Sequence, residues 1–207
     1  MTQPTIARTA SAETEISRSR FVATAHRVEA LDELAELVRL ARRAHPDARH
    51  VCSAAVTGPH GEASRSNDDG EPAGTAGAPM LSAIAHWGLT DVAVLVVRWF
   101  GGVKLGTGGL VRAYGGIASA ALDAAGVLER VPATELLGRV PVEDAQRIEH
   151  ALRSAGHQPV VDYGAAGATL TLTVDDTDVG DARALLARLG VPHEALGGRM
   201  RERPSGG

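Results

Sequence analysis

The sequence contains little cysteine, little lysine and few aromatic residues. Among its 207 residues are one cysteine, Cys52, one lysine, Lys104, and six aromatic side chains, two each of Phe, Trp and Tyr. A single cysteine excludes an internal disulfide and a zinc site built from several cysteines, and it favours a reducing, cytoplasmic location. The scarcity of aromatic rings indicates a largely aliphatic core.

The sequence also lacks an excess of positive charge and a long apolar run. Its formal net charge is -4, which argues against adhesion of the whole chain to nucleic acid or to an anionic membrane but allows a local basic patch. No apolar stretch approaches the ~18 residues of a membrane helix, and the first residues do not form a signal peptide. We therefore expect a cytoplasmic protein that is neither secreted nor membrane-bound.

Hydrophobic periodicity predicts an α+β protein of two domains. In the first domain it predicts strands at 19–28, 50–57 and 91–98 and helices at 30–44, 80–87 and 109–126. The stretch 58–74 is too rich in turn-forming residues for regular structure and is interpreted as a functional loop. From about 128–134 the pattern restarts as βαββαβ, which describes a ferredoxin-like sandwich.

A glycine-rich stretch with basic residues follows the strand predicted at 91–98. Glycines can free backbone N–H groups to converge on an anion, the following helix presents its positive end, and basic side chains add full charge. This predicts a phosphate-binding site, although neither a Walker motif nor a dinucleotide-binding motif is present. The alternative is that the glycines only permit tight turns and close packing. The candidate residues are Arg98, Gly101, Gly102, Lys104, Gly106, Gly108, Gly109 and Arg112.

An acidic cluster, Asp68, Asp69 and Glu71, precedes the predicted helix at 80–87. Three carboxylates within four positions could hold Mg²⁺ or act as base and acid in hydrolysis. They could equally stabilise their own loop or form ion pairs with Arg98 or Arg112. The hydroxyls of Ser64, Ser66, Thr75 and Thr107 are further candidates for phosphate binding.

Aromatic rings beside the basic residues suggest contact with nucleic acid through base stacking. Trp99, Phe100 and Tyr114 are the candidates, with core packing as the alternative, especially for Phe100. Cys52 lies two residues after His50 on one strand face, which raises a nucleophile hypothesis. The ~6 to 7 Å separation of such positions is too long for direct activation, so a buried thiol is the simpler interpretation.

These segments resemble the IMPACT family, in its YigZ-like bacterial branch. The matching pieces are S-R-F-V-A at 19–23, H-P-D-A-R-H-V-C at 45–52, the acidic segment at 68–80 and R-W-F-G-G-V-K-L-G-T-G-G-L-V-R-A-Y at 98–114. The chain departs from the family pattern at Trp99, where a tyrosine is usual. The resemblance covers almost the whole first domain.

The resemblance implies a ribosomal protein S5 domain 2-like fold for residues 15–130 and a ferredoxin-like fold for residues 134–203. It also links the chain to translational control under stress. We therefore expect a non-enzymatic regulator without a cofactor that binds RNA, the ribosome or a translation-associated protein through the glycine-rich cationic surface. Two alternatives are a metal-dependent hydrolase or transferase of a phosphorylated small molecule and a protein-binding module.

Overall fold

A computed structural model describes residues 3–204 of the chain. This range divides into two compact units, Gln3–Glu129 and Arg130–Arg203. Both combine helices with antiparallel strand pairs, so the predicted α+β class is confirmed. The division falls within 128–134, where the sequence pattern restarts; the domain ranges 15–130 and 134–203 and the two fold names stay predictions. No helix within residues 3–204 has the length and apolar character needed to cross a membrane.

The N-terminal unit centres on a five-stranded sheet with helices on both faces. Its helices are α1 (Glu33–Ala44), α2 (Gly77–His86) and α3 (Gly106–Ala125). The five strands of the sheet are β2 (Ala10–Ile16), β3 (Ser19–Arg27), β4 (His50–Thr57), β5 (Ala63–Asn67) and β6 (Val92–Trp99). A further strand of the unit, β1 (Gln3–Ile6), lies outside this sheet. The order across the sheet is β2-β3-β6-β4-β5. The central position of β6 explains its continuous apolar sequence, because both of its faces are covered.

Residues of β6 alternate between two cores. Every second residue from Val92 to Val96 packs with α2 and α3, whereas the residues between them pack with α1. Successive side chains of a strand point to opposite faces of the sheet. Arg98 therefore lies on the side of α2 and α3, and Trp99 lies on the side of α1.

The C-terminal unit has the predicted element order, βαββαβ. Its elements are β7 (Val127–Val140), α4 (Val142–Ser154), β8 (Val160–Gly164), β9 (Gly167–Asp175), α5 (Val179–Arg188) and β10 (His193–Pro204). The strands β10, β7, β9 and β8 follow one another across the sheet. Aliphatic residues of β7, β9, α4 and α5 form its core.

The sequence pattern missed the strands β1, β2 and β5. Residues 63–67 were expected to be irregular, but they form β5, so this expectation is wrong. Both β2 and β5 lie at the edges of their sheet, and every side chain of β5 is at least partly exposed. Polar residues are usual on edge strands, so their periodicity carries little hydrophobic signal.

Candidate functional site

Two segments that are distant in sequence come together at a pocket of the N-terminal unit. We call residues 68–75 the acidic loop and residues 98–114 the glycine-rich segment. The pocket has a volume of about 410 Å³, which is within the usual range for small-ligand sites. Its lining residues are Arg49, His50, Gly70, Glu71, Pro72, Arg98, Phe100, Lys104, Leu105, Gly106, Thr107 and Leu110.

Glu71 lies at the centre of a buried polar network beside this pocket. Its Oε1 accepts hydrogen bonds from Arg98 Nη1 at 2.5 Å and from the Tyr114 hydroxyl at 2.8 Å, and it lies 3.8 Å from His50 Nε2. The side chains of Glu71 and Arg98 are 4% and 5% exposed, so each charge depends on the other for compensation. The predicted ion pair between the acidic loop and Arg98 is confirmed.

Neighbouring strands supply further partners of Arg98 in register. His50 of β4 and Phe21 of β3 both lie opposite Arg98 of β6. The guanidinium carbon of Arg98 lies 5.2 Å from the centroid of the Phe21 ring, and Nη2 donates to the Ser19 hydroxyl at 3.3 Å. Arg98 is therefore an internal brace, and not an exposed phosphate-binding cation.

Tyr114 and Cys52 are buried parts of the same network. Tyr114 is 0% exposed, so the prediction that its ring stacks on a base at the surface is wrong. The Cys52 sulfur lies 3.3 Å from the Tyr114 hydroxyl and 3.1 Å from the Asp68 carbonyl, and its single S–H hydrogen can be donated to either oxygen. Burial raises the pKa of Tyr114, and burial raises the pKa of the Cys52 thiol to about 12 despite the contact with Tyr114. Little thiolate exists at neutral pH, so the geometry gives no support to the nucleophile hypothesis.

Asp68 closes the acidic loop onto the start of α2. Its carboxylate accepts hydrogen bonds from the N–H groups of Gly74, Ala76 and Gly77 at 2.8 to 2.9 Å. Burial opposes the charge of Asp68, but these three hydrogen bonds outweigh it and lower the pKa of the carboxyl group. Asp68 is thus occupied as an anchor of the loop.

Asp69 fastens the loop to β4 and α1. Its carboxylate accepts a hydrogen bond from the Val51 N–H at 2.5 Å and pairs with the Arg42 guanidinium of α1. Its carbonyl accepts a hydrogen bond from His50 Nδ1 at 2.8 Å, and its backbone has φ +48°. Asp69 therefore pairs with Arg42. The sequence had suggested Arg98 or Arg112 as the partner of the acidic cluster.

The three carboxylates of the acidic loop do not converge. Asp68 faces α2, Asp69 faces α1 and β4, and Glu71 faces Arg98. Within residues 3–204 no three His, Cys, Asp or Glu side chains are placed to share a metal ion. Thr75 is also occupied, because it is 4% exposed and its hydroxyl donates to the Pro72 carbonyl at 2.6 Å. The acidic loop therefore gives no support to a metal-dependent hydrolase or to phosphate binding by Thr75.

Trp99 lies on the opposite face of the sheet from the pocket. Its indole N–H donates to the Asp47 carboxylate at 2.9 Å, its ring packs edge-on against His45, and the Arg20 guanidinium lies 4.9 Å from its centroid. The prediction that Trp99 shares a surface with Lys104 is wrong, because alternation along β6 turns it toward α1.

Most glycines of the glycine-rich segment are required by the fold. A Cβ at Gly101 would lie 1.8 Å from the Arg18 carbonyl oxygen, so the backbones approach too closely for any side chain. Gly102 and Gly106 have φ of +87° and +71°, a left-handed backbone that other residues adopt only with strain. These three positions have a structural reason to be glycine.

The two glycines in the first turn of α3 differ from each other. A Cβ at Gly109 would lie 2.9 Å from the Leu105 Cβ, which is too close without a shift. At Gly108 the nearest atom would be Arg112 Nη1 at 3.5 Å, an ordinary contact, and φ is not positive. The fold gives no reason for glycine at Gly108, so this glycine is available to a ligand.

Helix α3 begins at the pocket with its first amide groups uncapped. Within residues 3–204 no side chain caps this helix, and its first turn contains no acidic residue. The first N–H groups of a helix have no acceptor in the helix, and its positive end attracts anions. Gly106 and Thr107, the first two residues of α3, line the pocket. A negatively charged group at this place would meet several donors.

Three exposed cations lie around this helix start. Arg49, Lys104 and Arg112 are exposed and have no ion-pair partner among residues 3–204. Arg49 and Lys104 line the pocket, whereas Arg112 does not. The Arg49 guanidinium lies 5.7 Å from the ring centroid of Phe100, which is 39% exposed. We call these three side chains, together with the first turn of α3, the cationic surface.

The predicted site residues thus fall into three groups. The first group lines the pocket and consists of Glu71, Arg98, Lys104 and Gly106. The second group belongs to the glycine-rich segment but does not line the pocket; it consists of the other candidate glycines and Arg112. The third group contacts other partners and consists of Asp68, Asp69, Thr75, Trp99 and Tyr114. Binding by the first two groups stays a prediction.

Six lining residues were not predicted to bind a ligand: Arg49, His50, Gly70, Pro72, Leu105 and Leu110. His50 is opposite Arg98 on the neighbouring strand, a pairing that depends on a strand order the sequence does not state. The exposure of Phe100 shows that its interpretation as a core residue is wrong.

The N-terminal unit matches a known family of domains. A family model described as the Impact N-terminal domain matches residues 17–122. The chain is 46% identical over 139 residues to "IMPACT family member in pol 5'region" of Thermus thermophilus, covering 67% of this chain and 74% of that protein. It is 45% identical over 115 residues to IMPACT family member YvyE of Bacillus subtilis and 42% identical over 123 residues to IMPACT family member YigZ of Escherichia coli. These two matches cover 56% and 58% of this chain but only 53% and 60% of those relatives' lengths.

Two solved structures are also similar. A crystal structure described as that of a hypothetical protein has 33% identity and a TM-score of 0.62, covering 95% of this chain and 98% of that one. A structure of the two-domain translational regulator Yih1 has 28% identity and covers 58% of this chain and 45% of that chain. Its TM-score of 0.35 is too low for a structural inference.

Removing the buried carboxylate of Glu71 should destabilise the N-terminal unit strongly. We expect Glu71→Ala to lower the free energy of unfolding by about 3 to 5 kcal/mol, because the Arg98 guanidinium would stay buried without a counter-charge. Tyr114→Phe should cost about 1 kcal/mol, the usual effect of one hydrogen bond. Denaturant unfolding measures both values. The matched control is Glu13→Ala, which removes an exposed ion pair with Arg20 and should have little effect; an equally small loss in Glu71→Ala would contradict the role of the pair.

The anchoring role of Asp68 predicts a stability difference that depends on pH. Asp68→Ala should lower stability by about 1 kcal/mol at neutral pH, because three N–H groups lose their acceptor. A carboxyl group with a lowered pKa stabilises the fold above its unfolded pKa, and this effect disappears as the pH falls through the folded value. Thermal unfolding of the unmodified protein and of Asp68→Ala should be measured from neutral pH down to a pH below the ordinary pKa of an aspartate. The two melting temperatures should converge as the pH falls. A constant difference would count against the ionised anchor.

Two glycine substitutions should have opposite effects on stability. Gly108→Ala should raise the free energy of unfolding by about 0.5 to 1 kcal/mol, because alanine is the better helix former and its methyl group has room. Gly101→Ala should lower it by about 1 to 3 kcal/mol through overlap with the backbone of Arg18. Denaturant unfolding distinguishes the two. A destabilised Gly108→Ala protein would mean that the fold itself requires this glycine.

Proposed function

Since the chain belongs to the IMPACT family, we propose that it is a non-enzymatic regulator linked to translation and stress that binds RNA through its cationic surface. The observation that carries this proposal is the position of Arg49, Lys104 and Arg112, which lie around an uncapped helix start without ion-pair partners among the described residues. RNA offers phosphates that such a surface attracts.

The contacts in this proposal are phosphate pairing and base stacking. Lys104 and Arg112 pair with successive phosphates, while the first amide groups of α3 add hydrogen bonds to one of them. Phe100 has more than a third of its surface exposed, which suits stacking against an unpaired base. Arg98 and Glu71 hold the surface in place from inside. Gly108 leaves the first helical turn open to the approaching backbone.

Binding through this surface is local, because the chain as a whole is acidic. With a formal net charge of -4, general attraction to polyanions is weak. The free energy of binding then comes from a few cations at one place, and single substitutions there have measurable effects. Single-stranded RNA is the expected form, since its bases are available for stacking.

A protein-binding module is the competing function, and a specific observation favours it. Phe100, Val103 and Val111 are 39%, 42% and 41% exposed and belong to the same segment as Lys104. Exposed apolar side chains near one another suit a protein partner, such as a translation-associated protein or a ribosomal protein. Binding through them would depend little on salt, whereas binding to RNA would depend on it strongly.

The finer structural and cellular assignments are part of the same proposal. The βαββαβ order and the strand order β10-β7-β9-β8 support a ferredoxin-like C-terminal domain. The S5 domain 2-like name for the N-terminal unit rests on the family alone. A single, fully buried cysteine, Cys52, supports a reducing, cytoplasmic location.

Reversing the charge of Lys104 tests the RNA proposal. Lys104→Glu should weaken binding to a short single-stranded RNA of mixed sequence several-fold and reduce the slope of log Kd against log salt by about 1, because one phosphate contact is lost. The melting temperature should hardly change, since Lys104 is exposed and has no partner within residues 3–204. Fluorescence anisotropy across a salt series gives both the affinity and the slope.

The matched control for this test is Arg65→Glu. Arg65 is also exposed and has no ion-pair partner among residues 3–204. It belongs to β5 and lies opposite Ala55 of β4. Ala55 follows His50 by five residues along β4, so Arg65 is roughly 17 Å from the pocket residue His50. The same charge reversal at Arg65 should leave the slope unchanged. Equal effects of the two substitutions would mean that total charge, and not the cationic surface, governs binding. No RNA binding by the unmodified protein would overturn the proposal in favour of a protein partner.

A further inference from the structure

The pocket beside the cationic surface is concave, whereas the backbone of an RNA strand needs an open path. A phosphodiester inside a strand continues in both directions, so it fits an open surface better than a concave pocket. A terminal phosphate monoester has a chain on one side only. It also carries up to two negative charges and three acceptor oxygens. The pocket shares Arg49, Lys104 and the start of α3 with the cationic surface, whereas Arg112 lies outside it. The pocket therefore suits the end of a strand, and Arg112 suits the part of the strand that continues beyond it.

The start of α3 supplies the first set of donors for such a group. Gly106 and Thr107 line the pocket at the uncapped end of the helix, and Lys104 and Arg49 line it as cations without ion-pair partners among the described residues. Backbone amide groups at a helix start and nearby cations together bind phosphate groups in many proteins.

Arg98 supplies an independent second observation. Its side chain is 95% buried and lines the same pocket, yet its Nε–H is the one buried side-chain polar atom within residues 3–204 that has no hydrogen-bond partner. Glu71 and Ser19 occupy Nη1 and Nη2. A buried donor without an acceptor is costly, and an acceptor oxygen bound in the pocket that Arg98 lines would satisfy it.

The remaining lining fits the nucleoside that carries the phosphate. Phe100, Leu105, Leu110 and Pro72 give the pocket apolar walls, and an exposed aromatic ring can stack on a base. The carboxylate of Glu71 also lines the pocket. Its charge is compensated by Arg98 and by the Tyr114 hydroxyl, so it opposes an anion only weakly.

We propose that this pocket binds the terminal phosphate monoester of a nucleotide at the end of an RNA strand. The proposal rests on RNA binding by the cationic surface and adds an end-specific site to it. Arg112, which lies outside the pocket, holds the strand, and the pocket with Arg49, Lys104 and the start of α3 recognises the phosphorylated end. A free nucleoside monophosphate carries the same phosphate monoester, so the test must distinguish it from the end of an RNA strand.

Three forms of one short single-stranded RNA test the proposal, carrying a 5′-phosphate, a 3′-phosphate or hydroxyl groups at both ends. We expect one of the phosphorylated forms to bind about tenfold more tightly than the hydroxyl form, a difference of about 1.4 kcal/mol. Adenosine monophosphate and inorganic phosphate serve as competitors. If the monophosphate binds as tightly as the phosphorylated RNA, the pocket recognises the monoester but its source is the free nucleotide.

Two variants distinguish binding in the pocket from binding by Arg112, the part of the cationic surface that lies outside it. Thr107→Glu places a carboxylate in the first turn of α3, where it favours the helix dipole but repels a phosphate, so the preference for the phosphorylated end should disappear while the melting temperature holds. Arg112→Gln removes a cation outside the pocket, so both RNAs should weaken by the same factor and the preference should persist.

The outcomes distinguish this inference from the proposed function. Equal binding of the phosphorylated and hydroxyl RNAs would overturn the end-specific pocket and leave RNA binding intact. A preference that survives in Thr107→Glu would also overturn it, because the end would then be recognised elsewhere. Absence of binding by every RNA and by both competitors would overturn the two proposals together.

Discussion

The buried ion pair between Glu71 and Arg98 is the interaction on which the geometry of the site depends. It joins the acidic loop to the central strand β6, with both side chains about 95% buried. Neither group can leave without exposing the other charge to an apolar environment that cannot solvate it. Tyr114 and Ser19 satisfy further hydrogen bonds of the pair from α3 and β3. One network thus fastens a loop, two strands and a helix around a single point, and the pocket lies beside it.

The carboxylates of the acidic loop all have partners within the fold, and this affects the charge that the surface presents. Asp68 is held by backbone N–H groups, Asp69 by Arg42 and Glu71 by Arg98, so the negative charge of the acidic loop is compensated within the fold. Lys104 and Arg49, by contrast, remain at the pocket without ion-pair partners among residues 3–204. A chain with a net negative charge can in this way present positive potential at one place. The constraint that builds the site therefore also leaves positive charge at its surface.

Strongly periodic elements were predictable from the sequence, and contacts that depend on strand order were not. The apolar run of β6 and the amphipathic pattern of α1 indicate their structures directly. The polar edge strand β5 gives no such signal. In the site, an ion pair between the acidic loop and Arg98 could be foreseen, but the pairing of Asp69 with Arg42 could not, because it requires the position of α1. The placement of Trp99 was foreseeable: if Arg98 points toward the acidic loop, its neighbour on a strand must point to the other face.

Lys104 differs from Arg42 and Arg98 in having no ion-pair partner among residues 3–204. Arginine at Arg42 and Arg98 serves internal pairs, where a planar group with several donors matches a carboxylate. At the rim of the pocket an arginine would present the same flat group with several fixed donors, which suits the carboxylates of the fold. A lysine has a compact charge on a flexible stem, so it is less suited to a fixed pair of this kind. The only lysine of the chain therefore lies at the pocket, outside the ion pairs that hold the acidic loop.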